Sequence, residues 1–223
     1  IPEIALVTLI RGVWRVGGTF PINSRPNKLP SKRTQRRLIK DIILSVKDKF
    51  DIDDIYVVGM SNGGKMAHAL GCESPDLIKG VINVVGSPQY GLACKPKGPV
   101  NYIIYAGFKD DVVPPFDVVS FDKYFYTPLT DIVNNWKTSF NCTNLESNTI
   151  NTHNLIQEKI HTGCDDDVKI ISLLNMDKGH SWPGSEDNAG FCRSNLQSEI
   201  DIQLCESKSN LWGNEFLLER LFK

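Results

Sequence analysis

The chain has 223 residues, of which 41% are hydrophobic and 23% charged, with a formal net charge of −1 and an isoelectric point near 6.5. That balance supplies apolar material for one core of ordinary domain size and argues against a nucleic acid or an anionic membrane as the main partner. No apolar run approaches the roughly 18 residues that a membrane-spanning helix needs, so a single domain over residues 1–223 is expected.

In chain order, Ile4 to Ile10 reads as a strand, followed by Gly12, Trp14, Gly17 and Gly18. Phe20 to Pro30 contains three prolines and reads as a loop. Ser31 to Phe50 is expected to be helical, because Leu38, Ile42, Ile43, Val46 and Phe50 recur at helical spacing and Ser31 suits an N-cap. The basic cluster from Lys32 to Arg37 then forms a solvated face of that helix. Asp51 to Asp54 turns the chain into a buried strand, Ile55 to Val58, and a helix continues through Lys65 to Leu70. Val81 to Val85, Val100 to Ala106 and Ile170 to Leu174 are further apolar strands. Pro128 to Phe140 is a helix carrying Leu129, Ile132, Val133 and Trp136, and Ser209 to Phe222 is a terminal amphipathic helix. Asn141 to Gly163 is polar and poorly patterned, so it is expected to be a loop. Alternating strands and helices predict an α/β fold, a mostly parallel sheet covered by helices on both faces.

One segment carries chemistry. Gly59, Ser61 and Gly63 form a G-x-S-x-G pattern between the strand at Ile55 and the helix at Lys65. A strand-to-helix turn this tight strains the serine backbone and leaves no room for a Cβ at the flanking glycines, and it exposes the hydroxyl at a helix N-terminus. Such a serine needs an acid and then a base later in the chain. Asp110 follows the strand that ends at Ala106, and His180 follows the strand that ends at Leu174. In that scheme His180 takes the Ser61 proton, Asp110 holds the imidazole tautomer, and the Asn62 N–H stabilises the oxyanion. Asp111 is the second choice of acid and more simply a loop cap. His68 is expected to pack against the sheet, and His153 and His161 to be solvated. Trp182 lines a substrate cleft or anchors its loop, and Trp14 leans towards a structural role.

Ser61 to Gly64 with Cys72 soon after, Asp110 to Pro114, Trp136 leading to Cys142, Cys164, and Gly179 to Gly184 together resemble secreted polyhydroxybutyrate depolymerases and feruloyl esterases. The resemblance runs from about Ala5 to the C-terminus. It implies an α/β-hydrolase fold and hydrolysis of a polyester or of a feruloyl or acetyl ester on a plant polysaccharide, with no cofactor or metal. In that family a glycine lies three residues before the acid, as Gly107 lies before Asp110, which selects Asp110 over Asp111. The resemblance also implies bridges Cys72–Cys94 and Cys142–Cys164, leaving Cys192 with Cys205. The even number of cysteines, with no C-x-x-C pair, points to an oxidising, secreted or lumenal location rather than to zinc. Asn141, Cys142 and Thr143 form a glycosylation sequon.

The start of the chain departs from that family. No His-Gly loop lies upstream of Ser61 to supply the second oxyanion donor, and Ile4 to Ile10 with Trp14 fits a later strand of the family better. A competing register makes Leu9 to Gly12 a degenerate oxyanion loop, with Arg11 in place of the histidine. In the first register the strand at Ile55 would show a bare edge, an aggregation template. The expectation is therefore that an N-terminal polypeptide, cleaved or lost, completes the domain, in keeping with Ile1 in place of Met. Loss of one donor costs about 10²- to 10³-fold in rate, so a second reading is a weak hydrolase-like module retained to bind a glycan or a protein.

Overall fold

The computed structural model describes residues 4–10, 13–16, 32–50, 52–185 and 212–222, with the backbone alone described for residues 4–10, 13–16 and 32–34. The elements are β1 (Ile4–Ile10), β2 (Val13–Val16), α1 (Lys32–Phe50), β3 (Asp54–Met60), α2 (Asn62–Glu73), β4 (Gly80–Val84), β5 (Asn101–Gly107), α3 (Leu129–Ser139), β6 (Asn144–Asn151), β7 (Leu155–Thr162), β8 (Ile170–Asn175) and α4 (Trp212–Phe222). They build one sheet in the order β2-β1-β3-β4-β5-β8-β7-β6. The five central strands β1, β3, β4, β5 and β8 run parallel, and β2, β7 and β6 pair antiparallel at the flanks.

Both faces of β3, β4, β5 and β8 are buried, which is why they read as unbroken apolar runs rather than as an alternation. The side chains still divide by strand period. Ile55 and Val57 of β3 and Tyr102 and Ile104 of β5 join Ile39, Ile43, Leu70, Ile132 and Trp136 in the core beneath α1, α2 and α3. Tyr56 and Val58, Ile103 and Tyr105 face the other way, onto Leu217 and Leu221 of α4. This is an α/β architecture, a mostly parallel sheet with helices on both faces, as expected.

Three expectations are corrected. First, 141–163 is a hairpin rather than a loop: β6 and β7 pair in full register from Asn144↔Thr162 to Asn151↔Leu155. Its inward positions include Glu158, whose Oε1 accepts from Arg220 Nε at 2.6 Å and whose Oε2 accepts from Asn148 Nδ2 at 3.1 Å. A charge at a buried strand position hides the alternation from any reading of hydrophobicity. Second, α1 buries Ile39 and Ile43 while Leu38 and Phe50 are 46% and 54% exposed. Of the face expected, Ile42, Ile43 and Val46 do turn inward, while Ile39 stands in place of Leu38 and Phe50 points out; Ser31 lies outside the described residues. Third, the edge of β3 is not bare. β1 runs parallel to it from Ile4↔Asp54 to Leu9↔Gly59, filling the place assigned to an absent strand. That pairing covers the edge expected to be bare and accords with the register in which β1 lies beside the strand at Ile55. Arg11 and Gly12 lie outside the described residues.

Candidate active site

β3 ends at Met60 and α2 begins at Asn62, so Ser61 occupies the whole turn. Its backbone has φ 56° and ψ −117°, a conformation that non-glycine residues seldom adopt and that persists only where neighbours hold it. Two hydrogen bonds do so: Ser61 N–H donates to the Val84 carbonyl at 2.8 Å, and its own carbonyl accepts from Lys65 N–H at 3.0 Å. Contact explains the first glycine of the motif: a Cβ on Gly59 would overlap the Gly63 carbonyl. Gly64, one residue past the motif, is equally constrained, because a Cβ there would overlap Asn83 Oδ1. Asn62, on the surface, opens α2, and N–H groups of a first helical turn have no intrahelical acceptor.

Asp110 and His180 arrive on loops after β5 and β8, neighbours in the sheet. His180 Nε2 lies 2.9 Å from Ser61 Oγ, and His180 Nδ1 lies 2.8 Å from Asp110 Oδ2. The second carboxylate oxygen, Oδ1, accepts from the N–H groups of Val112 at 2.9 Å and Val113 at 2.8 Å, which fixes the carboxylate plane. Asp110 is 4% exposed and His180 8%. A carboxylate accepts, so Nδ1 carries the hydrogen, and Nε2 is left to accept from the Ser61 hydroxyl. Asp111 is exposed, and its carbonyl accepts from Phe121 N–H at 2.7 Å; Asp110 is the carboxylate on the histidine.

The two loops are locked together by backbone contact. A Cβ on Gly107 would overlap the Gly179 carbonyl, and Lys109 N–H donates to the Lys178 carbonyl at 3.0 Å. The glycine three residues before the acid therefore lets the loop bearing Asp110 press against the loop bearing His180. On its far side the histidine loop is clamped by α4. Trp182 Nε1 donates to Asn214 Oδ1 at 2.8 Å, and Gly213 approaches the Pro183 carbonyl too closely for any Cβ. Trp182 packs with the α4 core, so its contacts are those of a loop anchor.

The other residues singled out in the sequence are dispersed. Cys72–Cys94 and Cys142–Cys164 are bonded as the resemblance implied, while Cys192, Cys205 and the side chain of Trp14 lie outside the described residues. His153 is exposed, as expected, and stacks on Trp212 at 4.7 Å between ring centroids, whereas His161, expected to be solvated, is buried on β7. His68 is buried as expected. Its ring lies within 4.8 Å of the sulfurs of Cys72 and Cys94, a grouping that resembles a metal site, but both sulfurs are already bonded to each other. His68 Nδ1 instead pairs with Tyr102 OH at 2.8 Å, and Tyr102 OH accepts from Asn83 Nδ2 at 3.0 Å. This buried polar chain beneath α2 went unforeseen, because Tyr102 and Asn83 sit inside strand patterns that read as apolar. Burial holds the His68 imidazole at a pKa of about 4 and raises that of the Tyr102 phenol.

No family model matches the chain. A curated Nocardia uniformis subsp. tsuyamanensis protein, "Putative esterase NocK", is 37% identical over 73 residues, 32% of this chain and 21% of that protein. The acetyl xylan esterase from Aspergillus awamori superposes at 15% identity over 66% of this chain and 62% of its own, with a TM-score of 0.46. An alpha-beta serine hydrolase homologue from Coxiella burnetii does so at 14% identity over 73% of this chain and 58% of its own, with a TM-score of 0.42. The chain thus spans less than two thirds of each of these proteins.

Proposed function

We propose that this chain is a serine carboxylic-ester hydrolase that works through an acyl-enzyme. The observation that carries the reading is the continuous chain of contacts from Asp110 Oδ2 through His180 to Ser61 Oγ, at 2.8 and 2.9 Å. Ser61 Oγ attacks the ester carbonyl while His180 Nε2 removes its proton, and the buried Asp110 carboxylate stabilises the imidazolium that forms. The tetrahedral oxyanion is received by the Asn62 N–H at the positive end of α2. His180 then protonates the leaving alcohol, and water activated by the same nitrogen releases the acid. A second donor in such chemistry belongs on the strand beside the nucleophile strand, the place held by β1.

The substrate we propose is a hydroxyalkanoate-type polyester or a feruloyl or acetyl ester of a plant polysaccharide. Support comes from the loop after Asp110, which presents Phe121 at 82% exposure with Tyr124 and Phe125 beside it, a surface suited to an apolar or aromatic group. The two disulfides support a secreted or lumenal location. Among the described residues no helix is long and apolar enough to cross a membrane. The test is labelling with a fluorophosphonate, followed by peptide mapping and a panel of p-nitrophenyl, feruloyl and 3-hydroxybutyryl esters. Adduct on Ser61, lost together with ester turnover in Ser61→Ala, is the expected result. A folded protein that neither labels nor turns over any ester overturns the reading and leaves a binding module.

A further inference from the structure

The sequon Asn141-Cys142-Thr143 begins immediately after α3, and the finished fold engages all three of its side chains. Asn141 takes a left-handed backbone, φ 48°, at the position where a helix is commonly ended by glycine or asparagine. Its Nδ2 donates to Asp165 Oδ2 at 2.7 Å. Cys142 is bonded to Cys164. Thr143 donates to the Gly163 carbonyl twice, from N–H at 3.3 Å and from Oγ1 at 3.2 Å. The partners are three consecutive residues, 163 to 165, and the bridge lies at their centre. An oligosaccharide transferase must reach the asparagine amide and the hydroxyl two residues on. Both are occupied once Cys142 and Cys164 join.

We infer that Asn141 is an N-glycan acceptor only until the Cys142–Cys164 bridge closes, so that the two modifications compete during synthesis. The inference rests on the secretory location proposed above. The co-substrate is a lipid-diphosphate-linked oligosaccharide. Asn141 Nδ2 bonds to its anomeric carbon, the bond from that carbon to the diphosphate oxygen breaks, and one amide proton is lost. The remaining Nδ2–H can still donate to Asp165, and Asn141 is exposed, so a glycan already in place is compatible with the fold. The order of events, rather than steric exclusion, decides occupancy. The time scales overlap: at about 5–20 residues per second, the 22 residues added after Cys142 to reach Cys164 are made in about 1–4 s, and disulfides form in seconds or longer.

The experiment directs the full chain into the secretory pathway of a eukaryotic host with a cleavable signal sequence, which separates this question from the native location. Occupancy is read by intact mass before and after peptide N-glycosidase, in the total cellular pool as well as in the medium, so a misfolded variant is still counted. Wild type is expected to be partly occupied. Cys164→Ser, which frees Cys142 and leaves the sequon intact, is expected to raise occupancy by about twofold or more, as is a pulse of dithiothreitol during synthesis of wild type. Asn141→Gln is expected to remove the glycan. Full occupancy in wild type, an absence of glycan in Cys164→Ser, or equal occupancy in the two proteins overturns the competition.

Discussion

Acidification should loosen this protein through one residue remote from Ser61 Oγ. His68 is 1% exposed, lies 5.6 Å from Tyr102 and 5.9 Å from Trp136 between ring centroids, and pairs through Nδ1 with Tyr102 OH. Burial lowers its pKa from 6.5 to about 4, so the folded chain keeps it neutral where the unfolded chain protonates it. The sign follows from linkage. The unfolded state binds more protons between those two values, so the contribution of His68 is fully present above pH 6.5 and is lost as pH falls towards 4. Over the full window the loss is about 3 kcal/mol, and between pH 7.5 and pH 5 it is about 2 kcal/mol. The assay is urea denaturation of wild type and of His68→Gln at both pH values. Gln keeps a hydrogen-bonding partner for Tyr102 but cannot titrate, so wild type should lose about 2 kcal/mol more than the variant on acidification. Equal losses in the two proteins would refute the assignment of a neutral, buried His68.

The remaining predictions concern the site. Asp110→Asn should lower kcat for an ester substrate by about 10⁴-fold, because it presents the wrong partner to His180 Nδ1, while Asp111→Asn should change it little; comparable losses in both variants would return the acid to an open question. Gly107→Ala forces a methyl group into the Gly179 carbonyl and separates the acid and base loops. It should reduce kcat by about 10²-fold with the fluorophosphonate rate falling in parallel, and an unchanged kcat in a folded variant counts against loop locking. Trp182→Phe removes the hydrogen bond to Asn214 and should cost about 1 kcal/mol in denaturant titration with little change in KM. A large rise in KM without loss of stability would make Trp182 a cleft residue after all.

The turn at Ser61 was legible in the sequence because local sterics write it there. A serine forced into φ 56° between strand and helix needs glycine where its neighbours touch, and Gly59 and Gly64 stand where a Cβ would collide. The strands β3, β4, β5 and β8 were legible for a related reason: a strand covered on both faces must be apolar throughout. Asp110 over Asp111 rested on a glycine whose reason, contact with the histidine loop, only the fold displays. What stayed hidden depends on partners distant in the chain. Glu158 becomes an inward strand residue because Arg220, 62 positions later, accompanies it into the interior. The contacts of Trp182 depend on Asn214, which arrives from α4, and His68 is neutral because Tyr102 and Trp136 enclose it from β5 and α3. The edge of β3, bare on the first reading, is covered by β1, since strand order is a property of the assembled sheet and not of either strand. Backbone strain and hydrophobic period are set within a few residues and can be read from them. Pairing, burial of charge and side-chain exposure are set by contacts between segments, and those exist only once the chain has folded.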